Sequence, residues 1–142
     1  MDSVFGKMIY KHKWYREQKE IIFGKEYTIK IAAKAYSGKP ITDEQRDAYC
    51  QYIKKRDEYL KIAAEQLIEY INSNFDELAC NWQGARKIKN ETELPAVVTP
   101  KTLLFKQDGT TLLLLECAWD MDNGVAVKLS PEVAVGGQDL FL

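Results

Sequence analysis

At 142 residues, with 46% hydrophobic and 29% charged side chains, the chain has the composition of one ordinary globular domain, 1–142, and not of a disordered segment. A net charge of -1 excludes a global field that would draw nucleic acid or an acidic membrane to the molecule. The charge leans mildly along the chain: 14 basic and 11 acidic side chains through Tyr70, then 6 and 10 beyond it.

From Val4 to Tyr15 the pattern is aromatic-rich and alternating. Met8, Tyr10, His12 and Trp14 share one side of a strand, and Lys7, Lys11 and Lys13 share the other. The polar stretch Arg16-Glu17-Gln18-Lys19 reads as a turn, Glu20 to Phe23 as a short second strand, and Gly24-Lys25 as a bend. Tyr27 to Tyr36 alternates again, which gives a three-stranded antiparallel meander with one polar face. Ser37-Gly38-Lys39-Pro40 breaks it.

Thr42-Asp43-Glu44-Gln45 is a capping box, in which the threonine hydroxyl and the Gln45 side chain each satisfy an orphan amide. It predicts one long amphipathic helix over about 43–72, roughly 45 Å in length, with a bend near Lys54-Lys55-Arg56-Asp57. At about 100° per residue its core stripe holds Tyr49, Ile53, Leu60, Ala63, Leu67 and Ile71. Tyr52, Tyr59 and Tyr70 flank that stripe on one side.

Beyond Asn72-Ser73-Asn74 the segment Phe75 to Thr99 is hard to read. It suggests a helical turn near Phe75 to Leu78, an anchoring Trp82 and a polar loop from Asn90 to Pro95. Thr102 to Phe105 is a strand. Gln107-Asp108-Gly109 and Asp122-Asn123-Gly124 are hairpin signals, because those residues take positive φ readily. Between them, Thr111 to Trp119 carries the apolar run Leu112–Leu115, which predicts burial on both faces. Val125, Val127 and Leu129 alternate after the second hairpin. The fold class is thus α+β, with C-terminal antiparallel hairpins packing on the helix.

The candidate chemistry is thin. Cys50, Cys80 and Cys117 are odd in number and lack ligand spacing, so reduced thiols are expected and neither a disulfide framework nor a zinc knuckle. His12 lies among lysines with no second ligand and no Gly-x-Ser-x-Gly elbow to serve. Counting a calcium loop from Asp120 puts Val125 at position six and Pro131 at position twelve, so the match fails and a tight turn remains. Neither a phosphate loop nor a dinucleotide fingerprint occurs, and no cofactor or metal is expected. No signal-peptide core opens the chain and no apolar run approaches a bilayer span, so the expectation is a cytoplasmic protein.

One resemblance emerges at the second hairpin. Cys117-Ala118-Trp119-Asp120-Met121-Asp122-Asn123-Gly124-Val125-Ala126-Val127, followed by Val135-Gly136-Gly137-Gln138-Asp139, is similar to a group of small bacterial domains of unknown function. Those carry a Trp–acid–x–acid–His/Asn–Gly hairpin before a glycine–x–x–Asp close. Their N-terminal halves also resemble this one, with a β-meander and a helix opening at an Ile-Thr-x-x-Gln signature, here Ile41 to Gln45. The resemblance covers both ends of the chain and leaves the middle out. It implies a shared fold, kinship with immunity proteins that neutralise toxins, and no catalytic centre.

The functional expectation is therefore a non-enzymatic protein-binding module, immunity- or antitoxin-like, that masks a partner such as a toxin by occlusion. Candidate contacts are the tyrosines Tyr52, Tyr59 and Tyr70, a residue type enriched at interfaces. The acids Glu116, Asp120, Asp122 and Asp139 would complement a basic surface. The alternatives are a nucleic-acid module using the basic, aromatic Lys7 to Lys19 strand, or an enzyme with an unrecognised site.

Overall fold

The computed structural model describes residues 4–10, 13–34 and 39–142. Lys11, His12 and the end of the third predicted strand lie outside these. The elements in chain order begin with β1 (Ile9–Tyr10), β2 (Lys13–Ile22) and β3 (Lys25–Lys34), followed by the helices α1 (Asp43–Lys54), α2 (Arg56–Ser73) and α3 (Phe75–Leu78). After 3-10 turns at Ala79–Asn81 and Glu91–Ala96 come β4 (Val98–Phe105), β5 (Thr111–Cys117), β6 (Val125–Ser130) and β7 (Ala134–Gly137). The chain is mixed α+β.

The strands form one sheet in the order β1 to β7. All neighbours are antiparallel except β3 and β4, which run parallel. A parallel pair needs a long crossover, and α1 and α2 supply it. The two β segments read separately in the sequence are therefore one sheet.

Arg16 to Lys19 is not a turn. It is the middle of the ten-residue β2, paired residue for residue with β3. Polarity suggested a turn, but the segment lacks the Gly, Pro or Asn that reverses a chain. Its inward side chains find partners instead, as described below. The reversal occurs at Phe23-Gly24, where both residues have positive φ (54° and 78°), the pattern of a tight two-residue hairpin. Phe23 is a costly residue there, and its ring is buried in the core.

Thr42 and Gln45 form the expected capping box. The expected single helix is interrupted at Lys55, between α1 and α2. Tyr49 and Tyr52 are buried on α1, and Leu60, Ala63, Ala64, Leu67 and Ile71 on α2. On one wheel at about 100° per residue these two faces are rotated by roughly 50°. Ile53 falls outside the α1 face and is 47% exposed, contrary to its place in the predicted stripe.

One buried cluster joins these helical side chains to Ile29, Ile31, Leu103, Phe105, Leu113 and Val127 of the sheet. Leu112 and Leu114 belong to a second cluster on the opposite face, so β5 is buried on both faces as its apolar run indicates. Trp82 is buried, and residues 75–78 are helical. The polar loop expected at 90–95 is a capped 3-10 turn, with Asn90 and Glu93 closing it.

Candidate functional site

The two C-terminal sequence motifs meet in space. Asp120 Oδ1 accepts the Asn123 amide at 3.1 Å, and the Gly124 amide donates to the Asp120 carbonyl at 2.9 Å. This closes the β5–β6 loop on itself. The following segment then grips it. Asn123 donates to Asp139 at 3.0 Å, Gln138 Nε2 donates to the Leu115 carbonyl at 3.0 Å, and the Gln138 amide donates to the Gly124 carbonyl. A Cβ on Gly124, whose φ is +76°, would stand 2.6 Å from both Gln138 Nε2 and the Leu115 oxygen. Only glycine fits so close an approach.

The clasp holds Met121 outward. Its side chain is 83% exposed, between Asp120 and Asp122. Beside it lies a cleft of about 550 Å3 lined by Trp82, Gln83, Val97, Thr99, Ala118 and Met121, among others. Trp119 supports the loop from beneath. Its ring packs on Trp82 (centroids 5.5 Å apart) and on Tyr70 (6.5 Å), and Phe75 packs edge-on to Trp82.

The predicted contact residues divide between two places. Asp120, Asp122, Asp139 and Tyr70 gather at the hairpin end. Asp122 and Asp139 are exposed, and Asp120 is half-buried in its turn. Glu116 is exposed at the end of β5 and pairs with Lys101 at 3.4 Å. Tyr70 is half-buried, and burial is the leading cause that raises its phenol pKa, with Glu77 adding to it. Tyr52 and Tyr59 lie elsewhere. Tyr52 is 1% exposed, a core residue stacked on the half-buried Tyr59 with rings 4° from parallel. The tyrosine flank is therefore not one surface stripe, because the break at Lys55 turns Tyr52 into the core.

The sequence reading missed a polar strip on the helix-facing side of β2. Arg16 Nε donates to the Phe5 carbonyl at 2.7 Å, and its other nitrogens donate to Gln18 and to the Tyr49 hydroxyl. Gln18 donates to Glu20 at 3.1 Å, and Arg56 stands 3.5 Å from Glu20. The Glu20 carboxylate is almost wholly buried, and Arg56 lies over the Tyr52 ring at 5.7 Å. Burial first, then the nearby Glu20 charge, pushes the Tyr52 phenol far up. The signal was present as Arg16-x-Gln18-x-Glu20, polar at period two, which marks one strand face.

Nucleophilic chemistry finds little support in either place. Burial pushes the Cys117 thiol up to about 11, so it stays protonated near neutral pH. Cys50 and Cys80 are exposed. Among the described residues no group of three or more His, Cys, Asp or Glu is placed to hold a metal ion. Among them, too, no helix is long and apolar enough to cross a membrane.

The family model described as Domain of unknown function (DUF6985) matches residues 4–142, and the chain belongs to that family. The match runs through the middle segment that the sequence resemblance left out. No curated protein and no solved structure matches the chain.

Proposed function

We propose that this DUF6985 member is a non-enzymatic protein-binding module of the bacterial cytoplasm. It masks a protein partner by occlusion, in the manner of an immunity or antitoxin protein, and its contact surface is the clasped hairpin end. The observation that carries this reading is Met121. A single exposed apolar side chain is common on a protein surface, but this one stands at a cleft on a loop held by the side chains of Asp120, Asn123, Gln138 and Asp139. A preorganised loop loses little entropy on binding. Asp122 adjoins the methionine, Asp139 is bonded to Asn123 of the same loop, and the two would steer a basic partner surface. Tyr70 supports the loop from below. Tyr52 is excluded from direct contact by its burial, and Tyr59 lies with it, away from this end.

The test is co-purification from the native host with three tagged chains: wild type, Met121→Asp and Asp122→Lys. Wild type should retain one partner in near-stoichiometric amount, and Met121→Asp should weaken it at least about tenfold, about 1.4 kcal/mol. Asp122→Lys should lose mainly association rate and salt sensitivity. Equal retention by all three chains would place the contact elsewhere. Recovery of no partner by wild type would end the reading.

A further inference from the structure

The helices pack on one face of the sheet, and among the described residues the hydrophobic side chains packed on the central cluster of the other face are Tyr15 and Phe141. Strand register sets rows across it. One row reads Tyr15, Ala32, Leu104, Leu112, Lys128 and Ala134. In the next row Glu17 stands opposite Lys30, which pairs with Thr102. On the other side of the first row, Lys34 and Lys106 directly follow the paired residues Ala33 and Phe105. Lys30, Lys34, Lys106 and Lys128 thus converge on one surface from β3, the end of β4, and β6.

The centre of that surface is aliphatic and buried. Leu104, Leu112 and Leu114 are at most 8% exposed, and Tyr15 and Phe141 pack against them. The Lys30 ammonium stands 5.1 Å from the Tyr15 ring centroid, and Lys106 Nζ donates to the Phe141 carbonyl at 2.9 Å. Both rings are partly exposed. The acids of this face sit at its margins or are already paired. Glu17 faces Lys30 from the β2 side, Glu26 pairs with Ile21 in register, and Glu116 is bridged to Lys101. Asp108, in the turn just after Lys106, and Glu132, in the β6–β7 turn, border the surface, while Asp120, Asp122 and Asp139 gather at the hairpin end.

We propose that this sheet face binds single-stranded nucleic acid, with phosphates on Lys30, Lys34, Lys106 and Lys128 and bases against Tyr15 and Phe141. Ammonium groups around two partly exposed rings meet the two needs of an unpaired strand, charge for its backbone and a π-face for its bases. A multi-stranded sheet face does not enter the groove of a duplex. A bilayer would call for apolar side chains that protrude, and the leucines here are buried. The five strands from β2 to β6 span about 19 Å, room for several nucleotides. This surface is separate from the hairpin end, and the inference stands whether or not a protein partner binds there. The basic stretch read along the first strand contributes only Tyr15 and the Lys13 register position. The four lysines are scattered from 30 to 128, so no window of sequence displays them together.

The test is fluorescence anisotropy with a labelled oligothymidylate of about 12 nucleotides, alongside sedimentation with vesicles of phosphatidylserine and phosphatidylcholine. Four phosphate contacts on a single strand predict a log–log salt slope of about -3, or a loss of about 50-fold in affinity between about 50 and 200 mM salt. The double variant Lys30→Glu, Lys128→Glu should bind at least tenfold more weakly with a shallower slope, and its circular dichroism should match wild type. Because both side chains are exposed or half-exposed, the fold tolerates the change. Three results would each overturn the proposal: no oligonucleotide binding at the lowest salt, equal binding by the double variant, or binding to vesicles without binding to the oligonucleotide.

Discussion

Gln45 shows how much one residue can hold. It has no solvent exposure, and its amide makes three hydrogen bonds. Its oxygen accepts the Thr42 amide at 2.8 Å, and its nitrogen donates to the carbonyls of Lys34 (2.6 Å) and Phe105 (2.9 Å). Those carbonyls stand at the ends of β3 and β4, so one side chain caps the crossover helix and ties it to the parallel pair it connects. Gln45→Leu keeps the volume and removes the partner of all three groups, of which the Phe105 carbonyl bond is fully buried. It should cost about 2–4 kcal/mol in urea denaturation. A loss below about 0.5 kcal/mol would show that water or a rearranged backbone replaces the amide. At the same scale, Cys117 is protected by burial and by its raised pKa. A disulfide reagent at pH 8 should titrate two thiols quickly, Cys50 and Cys80, and reach the third only in denaturant. Three fast thiols in the native protein would contradict the burial of β5's end.

At the scale of elements, the α1–α2 break decides which side chains carry the core. Tyr52→Ala should destabilise the chain by about 3–5 kcal/mol, as aromatic truncations in cores do. Ile53→Lys should change stability by less than about 0.5 kcal/mol. A single straight helix with the predicted stripe, which holds Ile53 and leaves Tyr52 on its flank, would reverse the two costs, so thermal melts of the pair separate the two registers. The helix start was legible because a capping box is a local, stereochemical signal. The hairpins at Asp108-Gly109 and Asn123-Gly124 were legible for the same reason, since positive φ is needed at Gly109 and Gly124. The course of β2 was not. Arg16, Gln18 and Glu20 are inward-facing polar residues whose acceptability depends on Phe5, Tyr49 and Arg56, two of them more than thirty residues away. Composition sees their polarity and cannot see their partners.

For the molecule as a whole, the parallel pairing of β3 with β4 is the feature that organises everything else. It fuses two β segments into one sheet and sets both helices on a single face. Nothing in the alternation of either strand announces it, since a parallel neighbour leaves the same period of two as an antiparallel one. The candidate site was half legible. The Asp120–Gly124 hairpin and the Gly136–Asp139 close were visible as motifs, and their mutual clasp accounts for both: Gly124 admits Gln138, and Asn123 meets Asp139. The three tyrosines do not form one group: Tyr52 stacks on Tyr59 across the break at Lys55, and Tyr70 packs on Trp119 farther along the same helix.

If Met121 stands at the contact surface for a protein partner, a reactive group at that position will capture it. Site-specific photo-crosslinking in the native host tests it directly, with a benzophenone amino acid placed at Met121 in one chain and at Ile53 in another. Ile53 is an apolar residue on a helix, exposed to 47% against 83% for Met121, and it serves as the control for unspecific capture. The account predicts one discrete crosslinked protein from position 121 and none from position 53. The same band from both positions, or none from position 121, would contradict it.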